Sequence, residues 1–106
     1  MNEALKTSIA EQFRNTTLGF LRVRKNLAIN HFSDTEIEVF LKKIILSTPL
    51  DAVESVGKNY YFKCLQYNAV LTINKHPLTV ITAKQIIKRN KLKVVCDLIL
   101  LILVAI

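Results

Sequence analysis

The chain is poor in the residues on which most recognisable chemistry is built. In 106 residues it has two glycines, two prolines, two cysteines, one methionine and no tryptophan. Two glycines cannot build a Gly-rich phosphate cradle or a dinucleotide fingerprint, and neither a Walker signature nor a nucleophile elbow is present. Cys64 and Cys96 are the only cysteines, which excludes a disulfide framework, and their spacing fits no metal or redox motif. Both are expected reduced and buried, as in a cytoplasmic protein. His31 and His76 lie far apart with no cysteine or carboxylate at ligand spacing, so neither a metal site nor a cofactor is expected.

Acidic residues are missing from one stretch altogether. Residues 1–57 carry seven basic and seven acidic side chains, whereas Lys58 to Lys93 carries eight basic ones and no acid. Asp97 follows, so 8 − 1 accounts for the whole formal charge of +7. A surplus confined to one third of the chain points to an anionic partner more strongly than a scattered one. Paired carboxylates for acid–base work are disfavoured, because all but one of the acids fall in the first 54 residues.

What is present is a chain 51% hydrophobic and 22% charged, which excludes disorder and low complexity. Its length suits one domain with a modest core. Leu5, Ile9 and Phe13 recur at spacing four, the stripe of an amphipathic helix. Thr16 or Thr17 can cap a second helix with Phe20, Val23 and Leu27 on one face and Arg22 and Lys25 opposite. Ser33 and Glu36 form a capping box, flanked by a Phe32–Ile37 staple, for a third helix that buries Ile37, Phe40, Leu41, Ile44 and Ile45. Pro49 ends it.

After Gly57 the period changes from about 3.6 to 2. Three strands are expected at 59–65, 69–74 and 78–83, joined by Gln66-Tyr67-Asn68 and by the four-residue loop Asn74-Lys75-His76-Pro77. That second loop would set Ile73 against Leu78, Leu71 against Val80 and Thr72 against Thr79. Leu65, Leu71, Ile73, Leu78 and Val80 would then face the helices, with Tyr60, Phe62, Thr72, Asn74 and Thr79 on the far side. The fold class is α+β: three helices on one face of a three-stranded antiparallel meander.

The basic β region carries the functional expectation. Lys58, Tyr60, Phe62 and Lys63 interleave cations with rings, the mixture that single-stranded nucleic acid requires. RNA or another polyanion is the expected partner. Its contacts are assigned to Arg22, Lys58, Asn59, Tyr60, Lys63, Thr72, Asn74, Lys84 and Arg89. Two readings of other classes stand beside it: an interaction module that associates through a hydrophobic tail, and a metal-independent ribonuclease toxin.

The tail is residues 94–106, set apart from a domain at 1–93. The mean hydropathy of the whole chain is +0.30. On the usual scale that sums to about 32, of which the tail alone supplies roughly 42, so the remainder is ordinary for a soluble domain. Thirteen residues give roughly 20 Å of helix against a hydrocarbon core of about 30 Å, too short for a full span. A final core element, a self-association or partner segment, and a peripheral membrane contact remain open for it. The first twelve residues carry no signal-peptide pattern.

The segments T-L-G-F-L-R-V-R-K-N-L from Thr17, F-S-D-T-E-I-E from Phe32, G-K-N-Y-Y from Gly57, L-T-I-N from Leu71 and L-T-V-I-T-A from Leu78 resemble a small bacterial family. That family is catalogued only as a domain of unknown function, and the match covers most of residues 16–86. The resemblance implies that Arg22, Lys58, Asn59, Tyr60, Thr72, Asn74 and Thr82 are better site candidates than neighbouring residues. At fold level the order of elements is also similar to the RelE, colicin-nuclease and barnase group of small ribonucleases. That likeness implies Arg22, Lys58 and Lys84 as cationic stabilisers of a phosphorane and Tyr60 as the proton-transfer group. No general base accompanies them.

Overall fold

The computed structural model describes residues 1–87. Arg89, Cys96, the domain boundary at 93 and the 94–106 tail therefore lie outside the described residues. Helix α1 (Glu3–Gln12) starts at Asn2, whose side chain accepts from the Leu5 amide at 2.8 Å. Helix α2 (Thr17–Asn26) is capped by Thr16, which accepts from Gly19. Helix α3 (Asp34–Ser47) begins with the expected reciprocal box: Glu36 N–H to Ser33 Oγ and Ser33 N–H to Glu36 Oε1. A short 3₁₀ turn, Leu50–Ala52, leads into the sheet.

Among the described residues the sheet is an antiparallel meander of four strands, not three: β1 (Val53–Val56), β2 (Asn59–Cys64), β3 (Ala69–Lys75) and β4 (Leu78–Gln85), in that spatial order. β1 has four residues and a single half-buried side chain, Val53, so it shows no alternation to read. The two-residue turn Gly57-Lys58 pairs it with β2, and Gly57 sits at φ +57°, where a Cβ would be strained.

The β3–β4 hairpin also departs from expectation. Its loop is the two residues His76-Pro77, so Leu78 pairs with Lys75 and Val80 with Ile73. A bulge follows at Thr72/Ile73 and brings Thr82, not Thr79, opposite Thr72. The bulge interrupts the alternation of β4, so that Ala83 rather than Thr82 stands opposite Leu71 on the core face.

Cross-strand partners share a face. Phe62, Leu71 and Ala83 are therefore one row of the core face, and Tyr60, Ile73 and Val80 another. Phe62 is fully buried and Tyr60 packs half-buried on the core, so both are on the helix side and not on the far side as expected. Leu65, also assigned to the core, lies past the end of β2 and is 75% exposed. Against this face pack Ile9 and Ala10 of α1, Val23 and Leu27 at α2, and Ile37, Leu41, Ile44 and Ile45 of α3. Phe40, the fifth residue of the α3 stripe, is half-buried and meets Phe32 and Tyr67 edge to face.

Three polar contacts fasten the helices. Lys6 is buried on α1, and its Nζ donates to the carbonyls of Leu46 and Thr48 at the end of α3. Arg24 Nε donates to Phe32 O, its Nη2 pairs with Asp34, and its guanidinium lies 5.8 Å from the centre of the Phe20 ring. Arg14 forms a short parallel bridge on the outer edge of β4, donating to Leu78 O and accepting from Val80 N–H.

Candidate functional site

All the buried helical residues pack on one side of the sheet, which leaves the other side without a helical cover among the described residues. The register arranges that side in three rows. Lys63, Val70 and Lys84 form the first, Tyr61, Thr72 and Thr82 the second, and Asn59, Asn74 and Thr79 the third. Lys63 and Lys84 stand two strand spacings apart, about 9.5 Å along the row, and both are exposed. An open cleft of about 660 Å³ runs over the first two rows and reaches Asn59.

Thr72 lies at the floor, only 8% exposed between its register neighbours. The bulge turns Ile81 toward the same cleft. Thr82 Oγ1 accepts from Asn26 Nδ2 at 3.2 Å, so the end of α2 fixes one wall. At the third row Asn59 Oδ1 is buried without a hydrogen-bond partner. Asn74 Oδ1 accepts from the His76 amide and shapes the hairpin turn. One carboxylate, Glu54 on β1, pairs with Tyr61 at the margin of this face.

The structure thus gathers Asn59, Lys63, Thr72, Asn74 and Lys84 of the sequence-derived set on one surface, with Thr82. Lys58 is exposed in the β1–β2 turn and shares a small recess with Asn74 at the end of the sheet. Tyr60 is on the opposite face, where Lys75 Nζ lies 5.1 Å above its ring. Arg22 is exposed on α2 and lines neither this cleft nor the one beside Tyr60. Arg22, Lys58, Tyr60 and Lys84, the four expected catalytic groups, are therefore not brought together.

The ring that does belong to the uncovered face is Tyr61, which sequence reasoning passed over. Its signal was present. An outward Lys63 requires Tyr61 and Asn59 to point the same way and Tyr60 and Phe62 the other.

Among the described residues no cluster of three or more histidine, cysteine or acidic side chains could hold a metal ion. Nor is any described helix long and apolar enough to cross a membrane. A protein-family model matches residues 7–84, from α1 to nearly the end of β4. The chain belongs to that family, DUF3781, described as a protein of unknown function. The match agrees with the expected membership of a domain-of-unknown-function family, and the DUF3781 span contains every row of the uncovered face. No curated protein and no solved structure matches the chain.

Proposed function

We propose that this chain binds single-stranded RNA across the uncovered face of its sheet. The observation that carries the reading is the row pattern itself. A tyrosine lies one row from two exposed lysines, with hydroxyl and amide groups between and beyond them, on a surface that the described helices touch through Asn26 at the end of α2. Lysines neutralise phosphates and release counterions. The ring supplies a stacking platform, and Asn59, Asn74 and Thr82 offer polar groups to bases or ribose. The concentration of basic residues after Gly57 adds long-range attraction.

The test is anisotropy of a labelled single-stranded RNA titrated at several salt concentrations. Affinity should fall steeply between about 50 mM and about 200 mM salt, and each of Lys63→Gln and Lys84→Gln should lower the salt slope by about one. Tyr61→Leu should weaken binding by about 1–3 kcal/mol with little change in slope. Absence of binding at the lowest salt, or binding indifferent to all three substitutions, would refute the reading.

A further inference from the structure

A second cleft, of about 720 Å³, lies on the other side of the sheet between α1 and the β3–β4 hairpin. Residues 5, 8 and 12 of α1 fall on one helical face and form one wall. The opposite wall is the hairpin turn. Three basic side chains line the cleft, Arg14, Lys75 and His76, and no carboxylate is among its lining residues.

These groups come from separate parts of the chain and are held there by backbone contacts. Arg14 N–H donates to Leu78 O at 2.7 Å and Arg14 O accepts from Val80 N–H at 2.8 Å, so its Cα cannot drift from the hairpin. Its side chain stays exposed and makes no ion pair among the described residues. The Lys75 ammonium is placed over the Tyr60 ring. The His76 amide is pinned to Asn74, which orients the turn. Ser8 and Gln12 line the α1 wall with neutral polar groups, while Leu5, Pro77 and Leu78 provide an apolar remainder.

An arginine fork and a lysine lining one cleft that has no carboxylate among its lining residues suit a phosphate dianion. The fork gives paired hydrogen bonds and the ammonium a compact charge. The cleft is far roomier than a bare phosphate needs and falls in the size range of small-molecule sites. Its apolar part therefore has to be covered by the ligand's own body.

We propose that this cleft binds a phosphomonoester of about mononucleotide size, with the phosphate between Arg14 and Lys75 and the organic body against Leu5 and Leu78. The phosphomonoester has two sources, a free nucleotide or the 5′ end of an RNA strand. The site does not depend on the uncovered face, since it shares none of the lysines invoked there.

The test is a titration of the isotopically labelled full chain, followed by amide NMR. The probes are adenosine 5′-monophosphate, adenosine, and a short RNA with either a 5′-phosphate or a 5′-hydroxyl. Saturable shifts at Arg14, Lys75, His76 and Leu78 are expected with the nucleotide and not with adenosine. Arg14→Gln and Lys75→Gln should each weaken them about tenfold or more while the remaining spectrum stays folded. Lys63→Gln should leave them unchanged, which separates this site from the sheet face. If the 5′-phosphorylated RNA shifts the same amides at lower concentration than the nucleotide, the natural ligand is a strand end; the reverse order identifies a free nucleotide. Equal response to adenosine, shifts confined to Lys63 and Lys84, or affinity retained in both cleft variants would overturn the proposal.

Discussion

Lys6 offers the sharpest test of how this small domain is held together. It is a lysine on a helix, yet it is 6% exposed. Its ammonium lies 3.2 Å from Leu46 O, 3.1 Å from Thr48 O and 3.4 Å from a carboxylate oxygen of Glu3. Helix α3 has no basic residue in its own last turn, so the cation that complements its C-terminal dipole comes from α1. Lys6→Met keeps most of the apolar stem and deletes the charge. Two charge-assisted bonds vanish and a buried carbonyl loses its donor, which costs about 1–3 kcal/mol. Loss of the dipole contact adds up to about 2 kcal/mol, and the relieved desolvation of the ammonium offsets part of the sum. A net loss of about 2–3 kcal/mol is expected. In urea unfolding followed by circular dichroism, a slope of about 1–1.5 kcal/mol per molar converts that to a midpoint lower by about 2 M. Glu3→Gln is the control: its side chain is 69% exposed, so removing the ion pair should change stability by less than about 0.5 kcal/mol. A Lys6→Met variant within about 0.5 kcal/mol of the parent, or a Glu3→Gln variant as unstable as Lys6→Met, would refute the carbonyl-capping argument.

Two further outcomes concern helix ends. Ala28 sits at φ +57° in a left-handed C-terminal motif closed by Ile29 N–H to Arg24 O and Ala28 N–H to Lys25 O. Ala28→Gly removes about 1–2 kcal/mol of steric cost and adds about 0.5–1 kcal/mol of chain entropy, so a net stabilisation of about 0.5–1 kcal/mol should appear in the same urea assay. At the start of α3, hydrogen bonds from the Ser33 amide and then its hydroxyl hold the Glu36 carboxyl below its ordinary range. A depressed folded-state pKa contributes stability above the unfolded value and loses it as pH falls through the folded one. The stability difference between the parent and Glu36→Gln should thus be largest near neutrality and shrink on acidification. Ser33→Ala should cost about 1 kcal/mol and flatten that dependence; a difference independent of pH would count against the box.

What could be read from the sequence was local chemistry. The α3 start was legible because Ser33, Glu36 and the flanking apolar pair act within one turn, and Pro49 marks its end without help from the rest of the fold. The strand regions were legible from their period, and the uncovered face holds most of the residues singled out from the basic region. What escaped were features set by distant partners. β1 is too short and too exposed to alternate visibly, and the hairpin register hinged on whether Asn74 and Lys75 were loop or strand. In β2 the difference is one residue: reading Leu65 in place of Cys64 as the inward end of the strand exchanges Tyr60 for Tyr61 and places the wrong ring beside the lysines. Lys6 reads as a solvated helix residue until α3 is laid against it. Arg14 acquires a position only once β4 is beside it.

The Arg14 bridge has a consequence for how the protein fails. Among the described residues β4 is an outer strand, and backbone groups on such an edge accept another extended segment. Residues just after α1 occupy part of that edge. α1 itself is held by the buried Ile9 and Ala10, by the Lys6 ammonium and, just past its end, by Phe13 and the Arg14 bridge. Release of this helix with its bridge bares that stretch of β4 while the α2, α3 and sheet residues of the core stay together. Strand-mediated self-association is therefore expected to follow the local opening of α1 and its Arg14 bridge and not to require global unfolding. The same buried lysine that closes α3 thus also guards the far edge of the sheet.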